Sequence, residues 1–283
     1  MRELQTDVIT DAIRRMCVKA NSVLPDDVRR CIDACRKSED WRPARETLDR
    51  IVENYEIAEH DSVPICQDTG VTCVFVELGQ DVHVVGDLGE AINEGVRQGY
   101  REGFLRNSIV SDPLRRENTG DNTPAMIYYD IVAGDKCKIT VAPKGFGSEN
   151  MSRIAMLRPY DGVEGVKDFV LRVVEEAGPN PCPPIVVGVG IGGTFDKAAL
   201  LSKKALLRPA DDVHPNPWYA GLETNLLEAI NALGIGPQGF GGRTTALAVK
   251  IESMSTHIAG LPVAVNINCH AARHVTEELK IES

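Results

Sequence analysis

Apolar side chains recur every three or four residues through most of the first sixty positions. Val8, Ile9, Ile13, Met16, Cys17 and Ala20 mark one helical face, Val28, Cys31, Ile32 and Cys35 a second, and Leu48, Ile51, Val52 and Tyr55 a third. Pro25 followed by Asp26 and Asp27, and Pro43 after Trp41, are entry signals for the second and third helices, because proline fits a first turn and carboxylates favour its positive end. From position 71 the pattern changes to β-branched runs at 71–78, 126–132 and 137–141, with helical spacing at 88–105 between the first two. Helices follow near 163–176, 195–207 and 218–233, interleaved with strands near 185–189, 245–251 and 262–267. The pattern predicts a mixed α/β fold: a helical amino-terminal layer, residues 1–60, packed on an α/β core, residues 61–283, in a single compact domain.

Composition narrows the function classes. Of 283 residues, 43% are apolar and 25% charged, values of an ordinary globular chain rather than a disordered or fibrous one. The 31 basic and 41 acidic side chains leave a net charge of −10, with no basic run longer than a pair. Affinity for nucleic acid comes from clustered Lys and Arg, so that partner is not expected. The longest apolar runs stop far short of the roughly 20 residues a membrane span needs. The opening MRELQTDVITDAIRRM mixes charges of both signs, unlike a secretory or transit segment, so a cytoplasmic protein is expected.

Eight cysteines are the first anomaly, because in a reducing compartment thiols are buried, catalytic or metal-bound. Cys17, Cys31 and Cys35 fall on apolar helical faces and Cys73 and Cys137 within strands, where they read as small core residues. Cys66, Cys182 and Cys269 fall in or beside loops, and either converge on a metal or are three more buried thiols. No CxxC pair is present, so neither a zinc ribbon nor a ferredoxin-type run is indicated. Gly188, Gly190 and Gly193 satisfy GxGxxG, with Asp211 and Asp212 roughly 20 residues on, as a dinucleotide site requires. No second strand follows to carry that acid, so a close strand-to-helix packing turn is the favoured reading, with anion binding at a helix start as another.

Four runs then converge: PICQDTG at 64–70, APKGFGSEN at 142–150, GGTFDK at 192–197 and NCHAARH at 268–274. Together, and in this order, they closely resemble the α subunit of class I iron–sulfur fumarate hydratases and their tartrate dehydratase relatives. The resemblance implies a [4Fe–4S] cluster held by Cys66, Cys182 and Cys269, with one iron open to substrate as a Lewis acid. It implies acid–base work for Asp68, a substrate contact and catalytic role for His257, and substrate binding by Gln67, Arg106 and the Lys144–Gly147 backbone, Gly147 included. His270 and His274, beside Cys269, would support the ligands. A small dicarboxylate would be the substrate, and planar guanidinium forks suit its carboxylates. The implied reaction is reversible hydration of fumarate to malate, with tartrate or methylfumarate (mesaconate) as alternative substrates. A separate β subunit would complete the site in a hetero-oligomer. Two readings from other classes are a dinucleotide-binding or regulatory subunit, and a zinc site with His257 or His270 as fourth ligand.

Overall fold

The computed structural model describes residues 2–281. In chain order the elements are β1 (Arg2–Gln5), α1 (Thr6–Ser22), α2 (Asp26–Ser38), α3 (Arg42–Asp61), β2 (Val71–Gly79), β3 (Val82–Val85) and α4 (Leu88–Glu102). The middle of the chain forms β4 (Met126–Val132), β5 (Cys137–Lys144), α5 (Phe146–Glu149), β6 (Arg153–Leu157) and α6 (Gly162–Ala177). The remainder forms β7 (Ile185–Gly192), α7 (Phe195–Ala205), α8 (Pro217–Ala232), β8 (Ala246–Met254), β9 (Leu261–Asn268) and β10 (Val275–Glu278). The class is mixed α/β, as the hydrophobic pattern predicts. Among the described residues no helix is long and apolar enough to cross a membrane.

Where the pattern suggests one domain with helices gathered up to residue 60, the contacts divide the chain more finely. A first unit comprises residues 2–25, Asn54–Phe146 and 273–281; a second comprises Asp26–Glu53 and Gly147–Ala272. Each is discontinuous in sequence, and the amino-terminal helices are shared out: α1 belongs to the first and α2 to the second.

In the first unit four strands run in the order β10-β5-β2-β4, with β2 antiparallel to β5 and parallel to β4. The helix α1 packs on α4 and on β5. That crossing is close because α4 offers glycines: a Cβ on Gly95 would lie 2.6 Å from the Ile13 Cβ, and one on Gly99 2.7 Å from the Arg14 carbonyl. Ile9, Ile13, Met16, Val74, Ile92 and Ile139 form the core beneath. Asp87 starts α4 by accepting the Glu90 amide at 2.9 Å, satisfying a donor the first turn leaves free.

In the second unit the order is β6-β9-β7-β8, with β7 antiparallel to β9 and parallel to β8. Alternation along β7 divides its two faces. Ile185, Val187 and Val189 join Val170, Leu226 and Ile230 of α6 and α8 in one core, while Gly188 and Gly190 point at α7. The strands β1, β3, β6 and β10, four or five residues each, are elements the pattern does not predict. Because β10 follows the NCHAARH run, β9 is not the last strand.

Candidate active site

The PICQDTG run ends where β2 begins, and the antiparallel partner β5 ends at the same edge: Val71 registers with Lys144. The approach needs glycine. Gly70 has φ +74°, and a Cβ there would lie 2.6 Å from the Lys144 carbonyl. Strand pairing therefore sets residues 142–146 against the PICQDTG turn inside the first unit. Parallel pairing of β4, from Met126, brings the preceding 103–125 segment to this end. Antiparallel pairing of β10, with Val275 opposite Val141, does the same for Arg273.

The carboxylate of Asp68 is fixed from both sides. Its Oδ1 accepts the Gly70 amide at 3.0 Å, and its Oδ2 accepts the Phe146 amide at 2.9 Å. A Cβ on Gly145 would press on Oδ2 at 3.1 Å, so that glycine leaves room for the carboxylate. Each oxygen keeps a lone pair after these bonds, enough to take a proton or accept one further donor. The Asp68 amide donates to Cys66 Sγ at 3.4 Å, and the Cys66 thiol donates to Gln67 Oε1 at 3.3 Å. Gln67 is exposed and Asp68 half-buried.

Arg106 reaches this turn through its backbone, its amide donating to Thr69 Oγ1 at 2.9 Å, while its residue is exposed. Two groups not singled out in the sequence hold the same turn from below. The buried Tyr100 hydroxyl donates to the Thr69 and Gly70 carbonyls at 2.9 and 3.1 Å. The fully buried Asn122 donates to the Gly70 carbonyl at 3.2 Å and accepts the Ser108 amide at 2.7 Å. Asn122 lies in the run NTGDNTP at 118–124, whose density of Asn, Gly and Pro is a local signal in the sequence, whereas Tyr100 carries no local mark beyond its place on α4.

In the second unit Cys182 precedes β7 and Cys269 follows the antiparallel β9, so both sit at one end of the sheet. The His270 amide donates to the Cys182 carbonyl at 3.3 Å. His270 Nδ1 lies 3.1 Å from that carbonyl and 3.2 Å from Gln238 Nε2. Cys182 has φ +56°, a left-handed conformation that turns the chain between Pro181 and Pro183. Gly147, in α5, is exposed. A Cβ on it would meet only the Asn180 carbonyl, at 3.9 Å, so the fold does not demand glycine there. An open backbone beside the Cys182 loop is what results.

His257 is not at that end. It lies in the exposed loop between β8 and β9, its Nδ1 accepting the Ala259 amide at 3.1 Å. The eight residues of β9 separate it from Cys269, roughly 25 Å at about 3.3 Å per residue. The structure does not bring His257 to Cys182 and Cys269 within the second unit.

The cysteines differ as donors. Cys17, Cys73 and Cys137 are buried, Cys31, Cys35, Cys66 and Cys269 half-buried, and Cys182 exposed. Burial pushes the Cys17 thiol up to about 12 and those of Cys31 and Cys137 up to about 11, which disfavours the thiolate a metal needs. The three loop cysteines suit the role better. Cys66 Sγ already accepts a backbone amide, the kind of bond that tunes cluster thiolates, and Cys182 and Cys269 are joined through His270. Cys66 belongs to the first unit, Cys182 and Cys269 to the second. Among the described residues no three His, Cys, Asp or Glu side chains are grouped as ligands of a single metal ion.

The GxGxxG run is a packing device. A Cβ on Gly188 would lie 2.2 Å from the Ser202 carbonyl and one on Gly190 2.1 Å from the Ala198 carbonyl, so both positions need glycine for α7 to lie against β7. The chain passes from α7 to α8 without a strand. Asp211 pairs with Arg30 at 2.7 Å, and Asp212 with Lys250 at 2.7 Å and Arg208 at 2.9 Å. These contacts favour the packing-turn reading of the run over the dinucleotide alternative.

Comparison with known proteins agrees with the motif resemblance. A sequence model of the family described as Fumarate hydratase (Fumerase) matches residues 10–278. A Methanocaldococcus jannaschii protein provisionally named L(+)-tartrate dehydratase subunit alpha is 44% identical over 282 residues, covering 97% of this chain and 99% of that protein. The L(+)-tartrate dehydratase subunit alpha of Escherichia coli strain UTI89 is 35% identical over 272 residues, covering 95% and 89%. Its counterpart in strain K12 is 34% identical over 271 residues, with the same coverage. With matches that run almost end to end, the chain belongs to the α-subunit family of fumarate hydratases and tartrate dehydratases.

Proposed function

We propose that this protein is the α subunit of an iron–sulfur hydro-lyase that adds water to, or removes it from, a four-carbon dicarboxylate. The observation that carries the reading is the Cys66–Asp68 turn, where a thiol accepting a backbone amide stands two residues from a carboxylate held by two others. Hydration of fumarate adds a proton to one carbon and hydroxide to its neighbour, and dehydration reverses both. One group must therefore exchange the carbon-bound proton while another handles the hydroxyl. Asp68 is the group assigned to acid–base work, since both its oxygens are oriented and each has a lone pair to spare.

Cys66, Cys182 and Cys269 are the thiolates that would hold a [4Fe–4S] cluster, which when bound supplies an open iron as Lewis acid toward the hydroxyl. Gln67, exposed beside Cys66, would hydrogen-bond substrate. Arg106, whose backbone is tied to Thr69, would present its guanidinium to a carboxylate. The open backbone at Gly147 would approach the substrate without a side chain intervening.

Fumarate hydration is the first reading of the substrate. The names of the three relatives favour a second, dehydration of L(+)-tartrate, which carries one more hydroxyl than malate. The reaction is assigned to the α chain together with a separate β subunit, because the relatives are named as α subunits. The test is anaerobic assay of the reconstituted chain with and without its β counterpart, on fumarate, malate, L(+)-tartrate and mesaconate. Turnover of one of them only on mixing is expected. Robust turnover by the α chain alone, or none by the mixture, would overturn the proposal.

A further inference from the structure

Arg273 belongs to the NCHAARH run yet lies in the first unit, drawn there by the pairing of β10 with β5. It is 4% exposed. One terminal nitrogen donates to the Asp68 backbone carbonyl at 2.5 Å, while Nε and the other terminal nitrogen are buried and, among the described residues, have no hydrogen-bond partner. Guanidinium does not lose its proton in proteins, so the fold buries a positive charge inside the first unit with two of its nitrogens unsatisfied among the described residues. Burying such a charge is costly unless it is compensated. A side chain kept there only to fill space would be better served by an apolar one of similar volume.

That bond lands on a residue with three other fixed atoms. The Asp68 amide donates to Cys66 Sγ, and its two carboxylate oxygens accept the Gly70 and Phe146 amides. With the carbonyl held as well, no polar group of Asp68 is left to rotate freely. We infer that Arg273 is a positioning residue: a buried latch that holds the Asp68 carbonyl, and through it fixes the sulfur of Cys66 and the carboxylate of Asp68 in one arrangement. Its buried charge also makes this turn favourable ground for negative charge, because attraction between charges is strong where water is excluded.

The inference rests on the iron–sulfur reading for its consequence, but the latch itself can be measured without a cluster. Amide hydrogen exchange of the apo chain is compared for wild type, R273M and R273K. In R273M, exchange over residues 65–70 should accelerate at least tenfold while α4 and β5 keep their protection, and R273K, which retains the charge but not the planar fork, should fall between. Unchanged exchange over 65–70 in R273M would overturn the latch. So would loss of protection throughout the first unit in both variants, since Arg273 would then be a general support.

Iron and acid-labile sulfide are measured on the same three proteins after anaerobic reconstitution and timed exposure to a chelator. R273M should release iron at least fivefold faster than wild type, with R273K intermediate. Equal release rates would refute the link from Arg273 to Cys66. A wild-type chain that takes up no iron would refute the cluster reading instead, leaving the exchange result to decide the latch.

Discussion

The Phe146 amide donates to Asp68 Oδ2 at 2.9 Å across 78 residues of sequence, and this bond joins two motifs that are unremarkable apart. Its counterpart at Oδ1, from Gly70, means that both carboxylate oxygens face backbone donors. D68N must turn an amide NH2 toward one of those two N–H groups. Turnover by the complete enzyme should fall by about 10²- to 10⁴-fold, the usual range for loss of a general acid–base group, while iron content stays at the wild-type level. Steady-state assay beside iron analysis checks this; retention of more than about a tenth of wild-type kcat would remove Asp68 from the chemistry.

Two glycines of the motif runs, Gly70 and Gly147, should answer substitution in opposite ways. Gly70 combines φ +74° with a Cβ position 2.6 Å from the Lys144 carbonyl. G70A should lower unfolding free energy by about 1–3 kcal/mol through backbone strain and overpacking. At Gly147 the nearest atom would be 3.9 Å away, so G147A should leave stability within about 0.5 kcal/mol of wild type. If that backbone faces substrate, KM rises in G147A. Denaturant melts of both variants, with KM for G147A, distinguish a glycine required by the fold from one required by a ligand.

The close packing of α7 on β7 makes a third comparison. With a Cβ only 2.1 Å from the Ala198 carbonyl, G190A should destabilise the chain by about 1–3 kcal/mol. Nicotinamide dinucleotides should not bind the wild type. Tight dinucleotide binding by calorimetry, together with an unperturbed G190A melt, would restore the ligand reading of the GxGxxG run.

Acid stability should report the ion-pair group around Asp212. Burial raises its carboxyl, but hydrogen bonds and charge from Arg208 and Lys250 outweigh that and hold it below the ordinary carboxylate value. A carboxyl depressed in the folded state stabilises fully above its unfolded pKa, near about 3.9, and loses that contribution as pH falls through the folded value. D212N leaves Lys250, 3% exposed, without its counter-charge. The thermal midpoint of D212N should lie below wild type at pH 7, and the gap should close as pH drops through and below the ordinary carboxylate range. A gap independent of pH from 7 to 3 would show that the pairing contributes no net charge stabilisation.

Much of the fold was legible because its long elements carry strong periodicity. The helices α1, α4, α6 and α8 and the strands β2, β4, β7 and β9 coincide with apolar spacing read directly from the chain. The missed strands are short, and β6 and β10 lie at sheet edges, where one side goes unpaired and the sequence can be as polar as the VTEE of β10. The two discontinuous units were not legible, since only long-range pairing such as Val275 with Val141 sends the carboxyl end back to the first unit.

The site was legible in its motifs and not in its supports. Cys66 and Asp68 stand out because Gly, Pro and reactive side chains crowd one loop. Arg273 appears in the sequence only as one residue of the NCHAARH run, and its buried bond to Asp68 depends on the β10 pairing that local pattern does not reveal. His257 shows the reverse: a residue given a role by the family resemblance that the sheet topology sets far from Cys269.

Iron and acid-labile sulfide per chain, after anaerobic reconstitution, test the central claim most directly. Wild type, C66S, C182S and C269S are compared with C31S and C73S as controls. The account predicts matched iron and sulfide approaching about four each, as a [4Fe–4S] cluster requires, in the wild type and both controls, and a large loss in each of the other three. Equal loss in the controls, or a wild type that takes up neither iron nor sulfide, would contradict it.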